Sequence, residues 1–160
     1  MKAAIYLRVS TDLQDTERQM TDTATYAKNS GATIIDTYKD HLSGYENENR
    51  PELNRLRLLT KEDVDIIYVH EVSRLSRNPT FLNQLVDEFI AKDINIRFIV
   101  QQLEVLDSNG QRHLTSDLML SLFGKNAQKI QSSAEQIDHP PKGHLKVPRQ
   151  SQIWASGGAN

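Results

Sequence analysis

The chain contains no cysteine, which excludes disulfides, thiolate-bound zinc and a cysteine nucleophile together. Glycine (7 residues) and proline (5 residues) are scarce, so a collagen-like chain is excluded. No apolar run is long enough to cross a membrane. Met1-Lys2 leads straight into Ala3–Val9, too short for a signal peptide or a span. The expected compartment is the cytoplasm, with no membrane partner. Internal repeats are lacking too. The five histidines, His41, His70, His113, His139 and His144, show no metal-ligand spacing, so no metal site is expected.

What is present is ordinary for a folded domain. With 38% hydrophobic and 25% charged residues, the chain is neither disordered nor a bare coiled coil. Its 160 residues make room for one domain with an appendage. Charge is unevenly spread. Residues 1–123 carry 14 Lys and Arg against 19 Asp and Glu, a balance of −5, whereas residues 124–160 carry a balance of +3. Such a distribution permits contact with DNA through local arginines but not strong non-specific binding by the field of the whole molecule.

Four apolar, β-branched runs predict strands: Ala3–Val9, Thr33–Tyr38, Val64–Val69 and Ile96–Val100, with Gln102–Leu106 as a short fifth. Helical patterns lie between them. The alternation predicts an α/β fold, a mostly parallel sheet of four to five strands with helices on both faces. Thr16 and Gln19 have capping-box spacing, and Gly31 closes the first helix. Pro51 suits the first position of the second helix. Asn78-Pro79 caps a helix whose apolar stripe is Leu82, Leu85, Val86 and Phe89. Asp40–Arg50 is polar, contains Gly44 and reads as a mobile loop. Leu120, Phe123, Ala127, Ile130, Ala134 and Ile137 form a heptad-like seam on a long last helix. The domain is thus expected over residues 1–123, with that helix continuing to about residue 137 and a disordered tail over 138–160.

Strand alternation puts Tyr6, Arg8 and Ser10 on one face at the carboxyl end of the first strand. Ligands of open α/β sheets bind outside such ends. A serine hydroxyl needs a cationic or basic neighbour to become a nucleophile. Arg74 and Arg77 follow the third strand and, three apart on a helical turn, would share a face. Guanidinium groups grip phosphate oxygens in a bidentate way.

Tyr6-Leu7-Arg8-Val9-Ser10-Thr11 with Gln14 and Gln19 resembles the opening signature of the serine recombinases, the resolvase and invertase family. Asp40-x-x-Ser43-Gly44 with Arg50-Pro51-x-Leu53 resembles that family's catalytic loop. Ser73-Arg74-Leu75-Ser76-Arg77-Asn78 resembles its Asp-Arg-Leu-x-Arg motif, with Ser73 where the acid usually stands. The resemblance implies a catalytic domain whose serine attacks a DNA phosphodiester, leaving a 5′-phosphoserine link and a free 3′-hydroxyl. It implies site-specific recombination by dimers that join into tetramers on DNA, without metal or nucleotide.

Carried over by position, Ser10 is the nucleophile, and Arg8, Arg50, Arg74 and Arg77 bind the phosphate. Tyr6, Gln14, Gln19, Asp40, Ser43 and Ser73 are supporting residues. Other jobs stay open: Gln19 in a capping box, Asp40 in a turn, Arg50 before a helix, Tyr6 in the core. Ser73 and a divergent sequence beyond residue 124, where no helix-turn-helix pattern appears, leave an alternative. This is a catalytically impaired recombinase-like protein that dimerises with or regulates an intact partner. Glu71 could replace the missing acid if the backbone turns it inward.

Overall fold

The computed structural model describes residues 1–9, 13–41, 50–113, 116 and 120–122. The chain runs β1 (Lys2–Val9), α1 (Leu13–Asn29), β2 (Thr33–His41), α2 (Pro51–Leu56), β3 (Ile66–Val69), α3 (Val72–Leu75), α4 (Pro79–Ile90), β4 (Asn95–Phe98) and β5 (Leu103–Glu104). The five strands form one sheet in the order β2-β1-β3-β4-β5. Neighbours are parallel except for antiparallel β4 and β5. The expected α/β architecture is therefore observed. No helix among the described residues is long and apolar enough to cross a membrane.

β1 is central, and every residue from Ala3 to Val9 is buried. Its alternation supplies two cores. Ala3, Ile5, Leu7 and Val9 pack with Ala27 and Ala32 on the α1 side. Ala4 and Tyr6 join Leu53, Leu56, Leu75, Leu82, Leu85, Val86 and Phe89 on the side of α2, α3 and α4. The predicted stripe of α4 is its buried face. Asn78 caps that helix, accepting from the Thr80 and Phe81 amides at 2.9 and 3.2 Å. Pro79 and Pro51 occupy first-turn positions, where a missing N–H costs nothing.

Some boundaries differ from expectation. α1 starts at Leu13, so Thr16 lies inside it and cannot be its cap; the capping box is not formed. β2 runs on to His41, which brings Asp40 out of the loop and into the sheet. Its register against β1 slips between Ala3 and Ala4, a bulge that period-two patterning does not announce. Ser116 and Leu120 are buried, while Phe123 and the rest of the seam, and the tail over 138–160, lie outside the described residues.

Gly31 closes α1 at φ +74°, as expected. The turn after α4 needs the same left-handed backbone but places Asp93 there, at φ 58°. The Asp93 and Ile94 amides donate to the Ile90 and Phe89 carbonyls at 2.9 and 3.0 Å. Asp93→Gly should therefore stabilise the fold by about 1 kcal/mol, because only the side chain resists this conformation. Urea denaturation checks this; an unchanged or lower midpoint would contradict it.

Candidate active site

β1 leads to α1 on one face of the sheet, whereas β3 leads to α3 and α4 on the other. The crevice at the carboxyl ends of these two neighbouring strands is where ligands of such sheets collect. Tyr6 and Arg8 point to the α2–α4 side of β1, and Arg8 sits opposite Asp40 of β2.

Arg8 is only 4% exposed. No acidic side chain pairs with it among the described residues, and its buried Nε has no hydrogen-bond partner. Burial, and then the positive charges of Arg77, Arg50 and Arg74, lower its pKa to about 10. A cation kept in such surroundings is stabilised by whatever anion enters.

Arg50 is held at the start of α2, while residues 42–49 of the expected loop lie outside the described residues. It is 7% exposed, lies 5.3 Å above the Tyr6 ring, and donates to the Tyr6 hydroxyl from Nε (3.1 Å) and Nη2 (2.7 Å). A third bond, 3.3 Å, runs from Nη2 to the Arg74 carbonyl. Tyr6 passes the interaction on by donating to Asp40 Oδ2 at 2.9 Å. Asp40, 1% exposed, also accepts the Glu52 and Leu53 amides at 2.9 Å each, so its carboxylate binds the amino end of α2. Burial, the largest cause, and the Asp40 carboxylate push the Tyr6 phenol well above its ordinary range, against the opposing pull of Arg50. Tyr6 thus stays a neutral donor. The turn role left open for Asp40 gives way to that of an anchor.

Arg74 is held from two sides. Its Nη2 donates to Asp15 Oδ2 of α1 at 3.2 Å, and its Nε lies 3.1 Å from Glu71 Oε1. Asp15 also accepts from Arg18 at 3.0 Å and from buried Gln19 at 2.5 Å. Its carboxyl is held below the usual range, chiefly by the Arg18 hydrogen bond. Ser73 donates to Glu71 Oε1 at 2.7 Å. Gln14 is exposed on the first turn of α1.

Arg77 is exposed, and it does not share a helical turn with Arg74. α3 ends at Leu75, and Ser76 is extended at φ −160°, ψ 148°. Arg77 still reaches the crevice electrostatically, since of the surrounding charges it acts most strongly on Arg8. Ser10 and Ser43 lie outside the described residues. Of the five expected principal residues, Arg8, Arg50 and Arg74 are therefore brought together with Arg77 at their rim, and the fifth, Ser10, is not described.

Asp15 was not legible in advance. Its spacing to Arg18 and Gln19 signals only local helix contacts, and its pairing with Arg74 spans 59 residues. The cluster as a whole suits an anion with several oxygens, such as a phosphodiester.

A sequence model of the resolvase N-terminal domain matches residues 3–136. The transposon Tn21 resolvase of Escherichia coli is 29% identical over 123 residues, covering 77% of this chain and 59% of the relative. A resolvase/recombinase of Pseudomonas putida is 34% identical over 110 residues, covering 69% and 58%. This chain thus spans under two thirds of the length of these relatives. Among solved structures, the N-terminal catalytic domain of TP901-1 integrase aligns with a TM-score of 0.56 and 27% identity, over 87% of this chain and 100% of the other. A resolvase family site-specific recombinase from Streptococcus pneumoniae aligns at 0.60 with 23% identity, over 86% and 92%, a likeness of fold.

Proposed function

This chain belongs to the resolvase family, and from that premise we propose that it cuts and rejoins DNA in site-specific recombination, with Ser10 as nucleophile. The Ser10 oxygen attacks the phosphorus, a serine–phosphate bond forms, and the bond to the 3′-oxygen breaks. The hydroxyl proton leaves Ser10 and a proton is delivered to the departing 3′-oxygen. Attack by a 3′-hydroxyl reverses these steps and rejoins the strand. Charge gathers on the non-bridging oxygens in the transition state, and arginines already in place stabilise it without reorganisation.

The observation that carries this reading is the convergence of Arg8, Arg50 and Arg74, with Arg77 acting from the rim, beside the end of β1. Arg8 is buried with its Nε unbonded and no acidic partner among the described residues, which is costly to folding, and a phosphate ligand would account for its retention. DNA is the proposed partner. Dimers through the last helix, and tetramers on DNA, are proposed from the apolar spacing that follows Leu120 in the sequence, Leu120 itself being buried in the domain core.

A nicked suicide duplex tests the reading, because loss of the short fragment traps the covalent complex. The wild type should give a protein–DNA adduct, and Ser10→Ala should give none while folding normally. An adduct that survives the substitution would exclude Ser10. Ser73 favours the second reading, a regulatory partner without efficient cleavage. A folded wild type that forms no adduct would point there.

A further inference from the structure

We propose that Glu71, held by the Ser73 hydroxyl, is a positioning residue that sets the Arg74 guanidinium for the phosphate. This rests on the cleavage reading above. Glu71 is the residue before α3, extended at φ −148°, ψ 159°, so its side chain leaves the helix axis and folds back over the first turn. There Oε1 meets both Ser73 Oγ at 2.7 Å and Arg74 Nε at 3.1 Å. A long glutamate on an extended residue has several rotamers, and the Ser73 hydrogen bond selects the one that faces Arg74. The approach is ionic, since Arg74 Nε is buried without a hydrogen bond of good geometry.

The division of labour follows from the geometry. Asp15 takes Nη2 of Arg74 from the α1 side, and Glu71 stands at Nε. Two carboxylates on one guanidinium fix its plane, which a single contact leaves free to turn. The Ser73 hydroxyl donates to Glu71 and not to Arg74. It acts through Glu71, and the pair Ser73-Glu71 supplies the negative charge that a shorter acid at position 73 would supply alone.

The experiment uses the full chain with three variants, Glu71→Ala, Ser73→Ala and Glu71→Ala/Ser73→Asp. Two readouts are taken: single-turnover adduct formation on the nicked duplex, and nitrogen-15 relaxation of the Arg74 Nε in the DNA-free protein. Glu71→Ala should slow cleavage roughly 10- to 100-fold, in line with a lost charge-assisted contact, without weakening duplex binding. Ser73→Ala should slow it less. The double variant should return to within about threefold of wild type, because a carboxylate is again beside Arg74, which a merely structural role for Glu71 does not give.

The relaxation readout is independent of activity. The Arg74 Nε should be rigid in the wild type and mobile, with an order parameter below about 0.6, in Glu71→Ala. Wild-type cleavage in Glu71→Ala, or slow cleavage that the double variant leaves slow, would overturn the proposal. So would an Arg74 Nε equally rigid without Glu71. If no variant and no wild type forms an adduct, the cleavage reading fails by itself, and the relaxation data still decide whether Glu71 positions Arg74.

Discussion

Replacing Arg8 with methionine should make the protein more stable and, if it cleaves DNA as proposed, suppress that cleavage. The guanidinium is buried among three other arginines, without an acidic partner among the described residues. Its lowered pKa means that folding disfavours the charged form. Methionine keeps most of the stem and fills the space without the charge. A gain of about 1–2 kcal/mol is expected, as for other buried charges replaced by apolar groups, and a urea midpoint will show it. Cleavage should fall by about 10²–10³ at least, the usual loss when one donor to a developing anion is removed. A destabilised Arg8→Met protein would show that Arg8 is structurally satisfied, and the anion-site argument would fail with it.

The same residue gives a signed pH dependence. Burial lowers the Arg8 pKa in the fold to about 10, below its ordinary value in the open chain. Between these values the unfolded chain holds the extra proton, so the Arg8 contribution becomes less unfavourable as pH rises through that window. Tyr6 acts oppositely there, because its raised pKa keeps it protonated in the fold while the unfolded phenol ionises. Comparing wild type with Arg8→Met isolates the arginine: the stability gap between them should narrow above pH 10.

The second large effect is expected at Asp40. Its carboxylate accepts from the Tyr6 hydroxyl and from two amides of α2. Asp40→Ala strands those three donors in a dry site, where each unsatisfied group costs about 1–3 kcal/mol. A net loss of about 3–5 kcal/mol is expected after partial relaxation, as when a buried charge loses its partner. Cleavage should fall further than stability alone requires, since Tyr6 is the hydroxyl that Arg50 grips. Asp40→Asn keeps an acceptor and should recover part of both. A loss under 1 kcal/mol in Asp40→Ala would mean that water or a neighbouring group already satisfies the amides.

These expectations show which parts of the molecule were legible in the sequence. The stripe of α4, its Asn78 cap and the alternation on β1 are local, set by residues within a turn or two, and they were read correctly. The grouping of Arg8, Arg50, Arg74 and Arg77 was reachable through motif resemblance, and the fold puts it where parallel strands end. The contacts that orient those arginines were not legible. Tyr6, Asp40 and Arg50 meet only because β1 and β2 pair in one register, through a bulge that no pattern in Thr33–His41 marks. Asp15 looks like an ordinary helix surface acid until the fold brings Arg74 to it across the end of the sheet. The shared helical face for Arg74 and Arg77 failed for a related reason. Spacing implies a shared face only if the helix continues, and Ser76 ends it by turning extended.

The most direct test is to locate the DNA on the protein. Adduct trapped on the nicked duplex can be digested with protease and nuclease, and the nucleotide-bearing peptide sequenced by mass spectrometry. The expected result with trypsin is a single modified peptide spanning Val9 to Arg18, with the 5′-phosphate of the DNA esterified to Ser10 and the free strand ending in a 3′-hydroxyl. Attachment at Thr11, Ser43 or any other side chain, or a 3′-phosphate linkage in place of the 5′ one, would contradict the assignment of Ser10 and the chemistry built on it.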